Sequence, residues 1–208
     1  MRLALICSGA LAACAGPGAM HQATLVGQCA EGDAACSKTH PFAPIAIGAT
    51  FHPQIDVALA GTTTPNLHLE SAAPDIVGIE NGMLVGHAPG ASAVLISTDD
   101  GSVVDFVHVW VAQPTGLVVA RRDGDRIDGA IDLAIGEDVT LAPSLWSGVQ
   151  QLAGDAPLAW TSSNPNVLEI LRDGSTDRRR LRAHATGKTT VTVAYGDMKT
   201  SLDVEVLP

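Results

Sequence analysis

The sequence predicts an all-β protein made of two consecutive β-sandwiches, and three observations carry that expectation. Apolar residues make up 46% of the 208-residue chain but aromatics only 3%, with Val, Ala, Thr and Gly abundant, which suits short β-branched strands joined by tight turns. Apolar and polar residues alternate in runs such as VVDFVHVWV (103–111) and TTVTV (189–193), the period of a half-buried strand. Pro, Asn, Asp and Gly punctuate these runs at short spacing, giving each strand a permissive reversal.

Residues 1–13 open with one Arg and an apolar run too short to span a bilayer, which needs about 20 residues, so they read as a secretory signal peptide. The run ends in Leu11-Ala12-Ala13-Cys14. These four residues resemble a bacterial lipobox, which implies acylation of Cys14 and attachment to a membrane through that lipid; cleavage by an ordinary signal peptidase near Ala13 or Ala15 is the rival reading. Ala15 follows the lipid site in place of an aspartate, which by the same resemblance implies the cell envelope and its outer membrane.

Residues 14–43 are rich in Gly and Ala and show no strand or helix period, so they are expected to form a tether. Within it Cys29 and Cys36 remain as a pair, and an oxidising envelope would permit a local disulfide. Two thiolates without a second pair supply at best half of a tetrahedral zinc site, even with His21 and His40 nearby. No metal site and no cofactor is expected.

The remainder repeats itself. LVGHAPGASAVLI (84–96) matches LRAHATGKTTVTV (181–193), LESAAPDIVGI (69–79) matches WTSSNPNVLEI (160–170), and Val107, Val109 and Val111 fall over Leu202, Val204 and Val206. Three blocks in one order define an internal duplication, with six additional residues before Leu181. The expected domains are 44–113 and 114–208. Each copy reads as short strands, for example IVGI, LVGH and AVLIS in the first, divided by the turns ENG, APG and TDDG.

The order Trp160, Ser162, Ser163, Asn164, Pro165, Val167, then His184, Ala185, Gly187, Val191, Val193, then Val204 and Val206 resembles the bacterial immunoglobulin-like domain, group 2, of surface proteins such as intimin and invasin. The first copy departs from it, with Leu69 at the tryptophan position and Ala73 at the asparagine position. The resemblance implies two tandem immunoglobulin-like β-sandwiches that act as spacers, adhesion modules or glycan- or matrix-binding units, with no shared catalytic residues.

Several features invite chemical readings. His87 and His184 each precede a turn glycine (Gly90, Gly187), and their recurrence favours a local packing or hydrogen-bonding role over catalysis. Asp123, Asp125, Asp128 and Asp132 suggest calcium, but Gly129 arrives late for an EF-hand and no glutamate closes the loop; a solvated loop is the plainer reading. Arg178, Arg179, Arg180 and Arg182 lie beside Asp173 and Asp177, as in a hairpin with internal ion pairs or an anion-contacting loop. No nucleophile elbow, phosphate loop or His-Glu-x-x-His is found, so an enzyme is not expected.

One asymmetry between the copies points to binding. If Val94, Ile96, Val107, Val109 and Val111 face inward, then Leu95, Phe106, His108 and Trp110 face outward. The matching outward positions of the second copy are Thr192, Ser201, Asp203 and Glu205. Such a stripe marks either a surface covered by the other domain, by residues 41–52 or by a neighbouring protomer, or a site for an envelope protein or glycan. With 22 acids against 12 bases the chain repels phosphate backbones, and nucleic acid is not an expected partner. The expected function is a noncatalytic structural or adhesive module, and the alternative is a carbohydrate-binding or assembly subunit of a larger envelope complex.

Overall fold

The computed structural model describes residues 23–27, 42–57, 66–122, 127, 129–171 and 178–208, and every regular element among them is a strand. The first body contains β1 (Ala23–Gly27), β2 (Ile45–Ala46), β3 (Thr50–Phe51), β4 (Pro53–Val57), β5 (Leu67–Ser71), β6 (Val77–Glu80), β7 (Met83–Gly86), β8 (Gly90–Thr98) and β9 (Val103–Ala112). One sheet runs β2-β9-β8-β5, a second runs β3-β7-β6, and β1 pairs β4.

The second body contains β10 (Gly116–Arg121), β11 (Ala130–Ala134), β12 (Asp138–Ser147), β13 (Gln150–Gln151), β14 (Ala159–Ser162), β15 (Leu168–Leu171), β16 (Arg179–Ala183), β17 (Gly187–Tyr195) and β18 (Met198–Leu207). Its sheets run β11-β18-β17-β14 and β10-β12-β16-β15, with β13 added to β12. In both bodies a short early strand runs parallel to the last one, Ile45 beside Val111 and Ile131 beside Val204, while the other pairings are antiparallel. The fold is an immunoglobulin-like β-sandwich made twice.

Alternation in the sequence becomes two cores. Val77, Leu84, Val94, Ile96, Val109 and Val111 fill the first and Leu168, Leu181, Val191, Val193, Val204 and Val206 the second, none more than 4% exposed. Each such side chain contributes about 1.5–3 kcal/mol on leaving water. Val107, expected inward, is half-buried and packs against that core.

The expected tether needs correction. Ala23–Gly27 is a strand whose partners run from Val57 to Pro53, and Ala23 and Leu25 are buried. Its counterpart is β10, which pairs β12 in the same sense. The first sandwich therefore begins at or before Ala23, ahead of the expected boundary at 44, and Phe42 packs on Phe51 at 4.9 Å between ring centroids. A five-residue run with one alternation inside a Gly- and Ala-rich stretch carries too short a period to stand out from its surroundings.

Main chain joins the two bodies. The Ala46 amide donates to the Ala153 carbonyl at 3.1 Å and the Ala153 amide to Pro44 at 2.8 Å; Thr50 and Asp155 exchange amide-to-carbonyl bonds at 3.1 and 2.7 Å. Gly154 makes this approach feasible, because it has φ +97° and a Cβ there would lie 3.0 Å from the Thr50 carbonyl oxygen.

Candidate functional site

The duplicated His-Gly motif makes local contacts in both copies. The ring of His87 lies over Gly78, where any Cβ would collide with it. It hydrogen-bonds the Pro74 carbonyl through Nδ1 at 3.0 Å and Glu80 through Nε2 at 3.3 Å. His184 instead meets Glu169 at 2.8 Å; Glu169 occupies the position of Gly78 in the repeat. The backbone amides of His87 and His184 donate to Ile76 and Val167. Gly90 and Gly187, at φ +147° and +146°, leave room for those same two side chains.

A buried hydroxyl network recurs alongside, and the sequence reading missed it. Ser92 Oγ lies 2.9 Å from Ser71 Oγ and accepts the Ala73 amide at 2.9 Å. Thr189 Oγ1, its counterpart, contacts Ser162 and Ser163 at 3.1 Å and accepts the Asn164 amide at 3.0 Å. Ser92 and Thr189 are almost wholly buried, so these bonds satisfy groups that would otherwise be costly. The repeated Ser-to-Pro spacing was the available signal.

Asp123, Asp125 and Asp128 lie outside the described residues, as do Cys14, Cys29 and Cys36. Asp132 is exposed, and among the described residues no group of three or more His, Cys, Asp or Glu side chains could hold a metal. Arg182 makes a bidentate pair with Asp138, 2.8 Å on both oxygens, and Arg180 stands 3.7 Å from the same carboxylate. The Arg182 hydrogen bonds hold the Asp138 pKa below the ordinary carboxylate value. At the TDDG turn, Asp100 accepts from Thr98 and from the Ser102 amide, and these bonds lower its pKa too.

The four stripe residues lie together on the outer face of one sheet. Phe106 and Trp110 are 38% and 45% exposed, with His108 between them at ring separations of 5.5 and 6.1 Å. Leu95, half-buried, sits directly across from Phe106, whereas only Ala93 and Ala91 face His108 and Trp110. The aromatic edge therefore stands above its neighbouring strand. Glu70 completes the row through Leu95 to Phe106.

The matching face of the second sandwich satisfies itself. Thr190 donates to Asp203 at 2.9 Å, Thr192 meets Ser201 at 3.1 Å and Lys188 pairs with Glu205 at 3.1 Å. Corresponding sheets thus carry a polar face on one body and an aromatic one on the other.

A second surface was not expected from the sequence. Gly116, Val118 and Ala120 of β10 stand across from Trp146, Ser144 and Ala142 of β12, and they floor a groove of about 610 Å³. Trp146 donates its indole N–H to Ser144 at 2.9 Å, which fixes the ring beside the groove. Val149, 96% exposed at the tip of the β12–β13 turn, forms the rim. Among the described residues its charged lining consists of Arg121, Arg122 and Arg178.

No family model and no curated protein matches the chain. Solved structures similar to it include domains 4 and 5 of the S-layer protein SbsC, at 17% identity and TM-score 0.32 over 68% of this chain and 77% of that one. A C-terminal 282-residue fragment of intimin, in complex with the intimin-binding domain of the translocated intimin receptor, is 16% identical at TM-score 0.32 over 77% and 60%. Invasin, a bacterial integrin-binding protein, is 14% identical at TM-score 0.37 over 90% and 40%. At these scores no property of those proteins transfers to this chain.

Proposed function

We propose that the protein is a noncatalytic module of the cell envelope, held through a lipid on Cys14, whose tandem sandwiches present the Leu95–Phe106–His108–Trp110 stripe to a protein partner. The observation that carries this reading is the exposed aromatic stripe on one copy where the other copy has a self-satisfied polar face. Exposed Trp and Phe lose unfavourable water contact on docking and serve as anchors. Structural or adhesive work suits the arrangement, since both cores are filled by apolar side chains and the recurring histidines are engaged locally.

The lipobox-like Leu11–Cys14 supports anchoring. Residues 15–22 would then span at most about 28 Å fully extended before β1 begins. Ala23 pairs with Val57, the end of β4 remote from the Thr50 junction with the second sandwich. The first sandwich accordingly sits near the membrane and the second points away from it.

A photoreactive side chain at position 108 of the full chain, activated in intact envelopes, tests the stripe. The expected result is a small set of discrete protein adducts, depleted when Trp110→Ala is added. Adducts unchanged by Trp110→Ala in a folded protein would remove the reading, and saturable binding of the chain to a glycan array, lost with Trp110→Ala, would replace it with the carbohydrate-binding one.

A further inference from the structure

We propose that the aromatic stripe of the first sandwich docks into the β10–β12 groove of a second copy of this chain, so that molecules associate head to tail. This names the partner of the stripe and rests on reading that stripe as a contact surface. Two exposed apolar surfaces on one chain lead to it, one within an acidic segment and one lined by arginines. Residues 40–113, which contain the stripe, hold seven Asp and Glu and no Lys or Arg. The groove has arginines as its charged lining among the described residues, in a protein of net charge −10. Residues 114–208 as a whole carry thirteen Asp and Glu against ten Lys and Arg, so the attraction is confined to the arginine-lined groove and the acidic neighbourhood of the stripe.

Shape and chemistry agree. Apart from Trp146, the β10 and β12 residues of the groove floor have small side chains, so a projecting ring can lie flat on them, and about 610 Å³ is room for an aromatic anchor and its neighbours. Glu70, at the end of the row leading to Phe106 and hydrogen-bonded to His68 at 3.1 Å, brings a carboxylate to the edge of the stripe, where Arg121 of the groove can meet it. The uncharged polar side chains of the described lining are few, Ser144 and Gln151 beside Trp146, which suits an apolar anchor better than a sugar. None of Phe106, His108 and Trp110 lines the groove of its own chain, and the Ala46–Ala153 and Thr50–Asp155 bonds hold the bodies in that arrangement. The occupant consequently comes from another molecule. Since the two patches differ, the contact is heterologous and leaves a free stripe and a free groove at the two ends of any assembly.

The test is sedimentation velocity of the full chain in a constant non-ionic detergent, over a concentration series. The unmodified protein should form species larger than a dimer. Trp110→Ala removes the anchor and Ala142→Trp fills the groove floor, and each should weaken association about tenfold or more. Mixed in equal amounts, the two variants should recover a dimer and stop there, because only one intact stripe meets one intact groove. Should Ala142→Trp fail to fold by circular dichroism, Val149→Asp at the exposed rim takes its place. Association insensitive to the groove variant, or a mixture that stays monomeric, overturns the proposal. A monomeric protein whose tryptophan fluorescence responds to sodium laurate, with the response lost in the groove variant, overturns it in favour of an anionic amphiphile. If position 108 still crosslinks to a different protein in envelopes, the stripe stands as a contact surface and only the head-to-tail partner falls.

Discussion

At the scale of single residues, the repeats keep what the backbone needs and vary the rest. Gly187 combines φ +146° with Val167 at 3.2 Å from where a Cβ would stand, a conformation that costs an L side chain about 1–3 kcal/mol. Gly187→Ala should therefore lower the urea midpoint, whereas Gly82→Ala, at φ +77° with open space around it, meets only the backbone penalty. Comparable losses at both sites would show that the Val167 contact adds nothing. Thr189 makes a second residue-scale prediction. Thr189→Val removes the acceptor of the Asn164 amide and should cost about 1–3 kcal/mol, while Thr189→Ser retains the oxygen and should recover most of that in equilibrium unfolding. Sequence alone located the histidines and glycines, because each recurs at the same place in the repeat. It did not locate the Ser92 and Thr189 networks, since a hydroxyl within an alternating strand looks solvent-facing until its partners on another strand are known.

At the scale of strands, alternation was legible wherever it lasted long enough to set a face. Residues 103–111 assigned Phe106, His108 and Trp110 to the outer surface correctly, and the burial of Val109 and Val111 follows from the same period. The short β1 was not legible, and it carries the clearest test of the revised boundary. Leu25 is fully buried, so Leu25→Ala should destabilise the first sandwich by about 2–5 kcal/mol; a melting profile identical to the unmodified protein would restore the view of this segment as tether. The β12–β16 pairing is expected to depend on pH with a definite sign. Asp138 has its folded pKa lowered by Arg182, so its stabilisation is fully present above the unfolded carboxylate value. It is lost as pH falls through the lower folded one. Asp138→Asn should destabilise near neutral pH and converge with the unmodified protein in acid, a convergence that thermal melts across the acid range would reveal. An offset that persists in acid would assign the effect to packing.

At the scale of the whole molecule, the decisive contacts were invisible to sequence reasoning because they are main-chain bonds between segments about a hundred residues apart. Nothing in PIAIGAT (44–50) or LAGDA (152–156) announces that Pro44, Ala46 and Thr50 will pair with Ala153 and Asp155. The composition makes sense afterward: small side chains let two backbones approach, and Ala46, Ala49 and Ala153 are buried there at 1% exposure or less. Gly48, at φ +75°, lies under the Tyr195 hydroxyl on the other body, and burial raises the pKa of that phenol. Beyond residues 113–115, the two sandwiches are tied by these main-chain bonds, which oppose their independent reorientation. Gly154→Val places branched carbons against the Thr50 carbonyl and the Ala49 methyl, at 3.0 and 3.1 Å even from a bare Cβ, so it should separate the bodies while leaving both cores intact. Calorimetry should then resolve two transitions where the unmodified protein shows one, and small-angle scattering should report a broader distribution of interatomic distances. A single transition with unchanged scattering would mean that the pairing of Thr50 with Asp155 does not hold the sandwiches together.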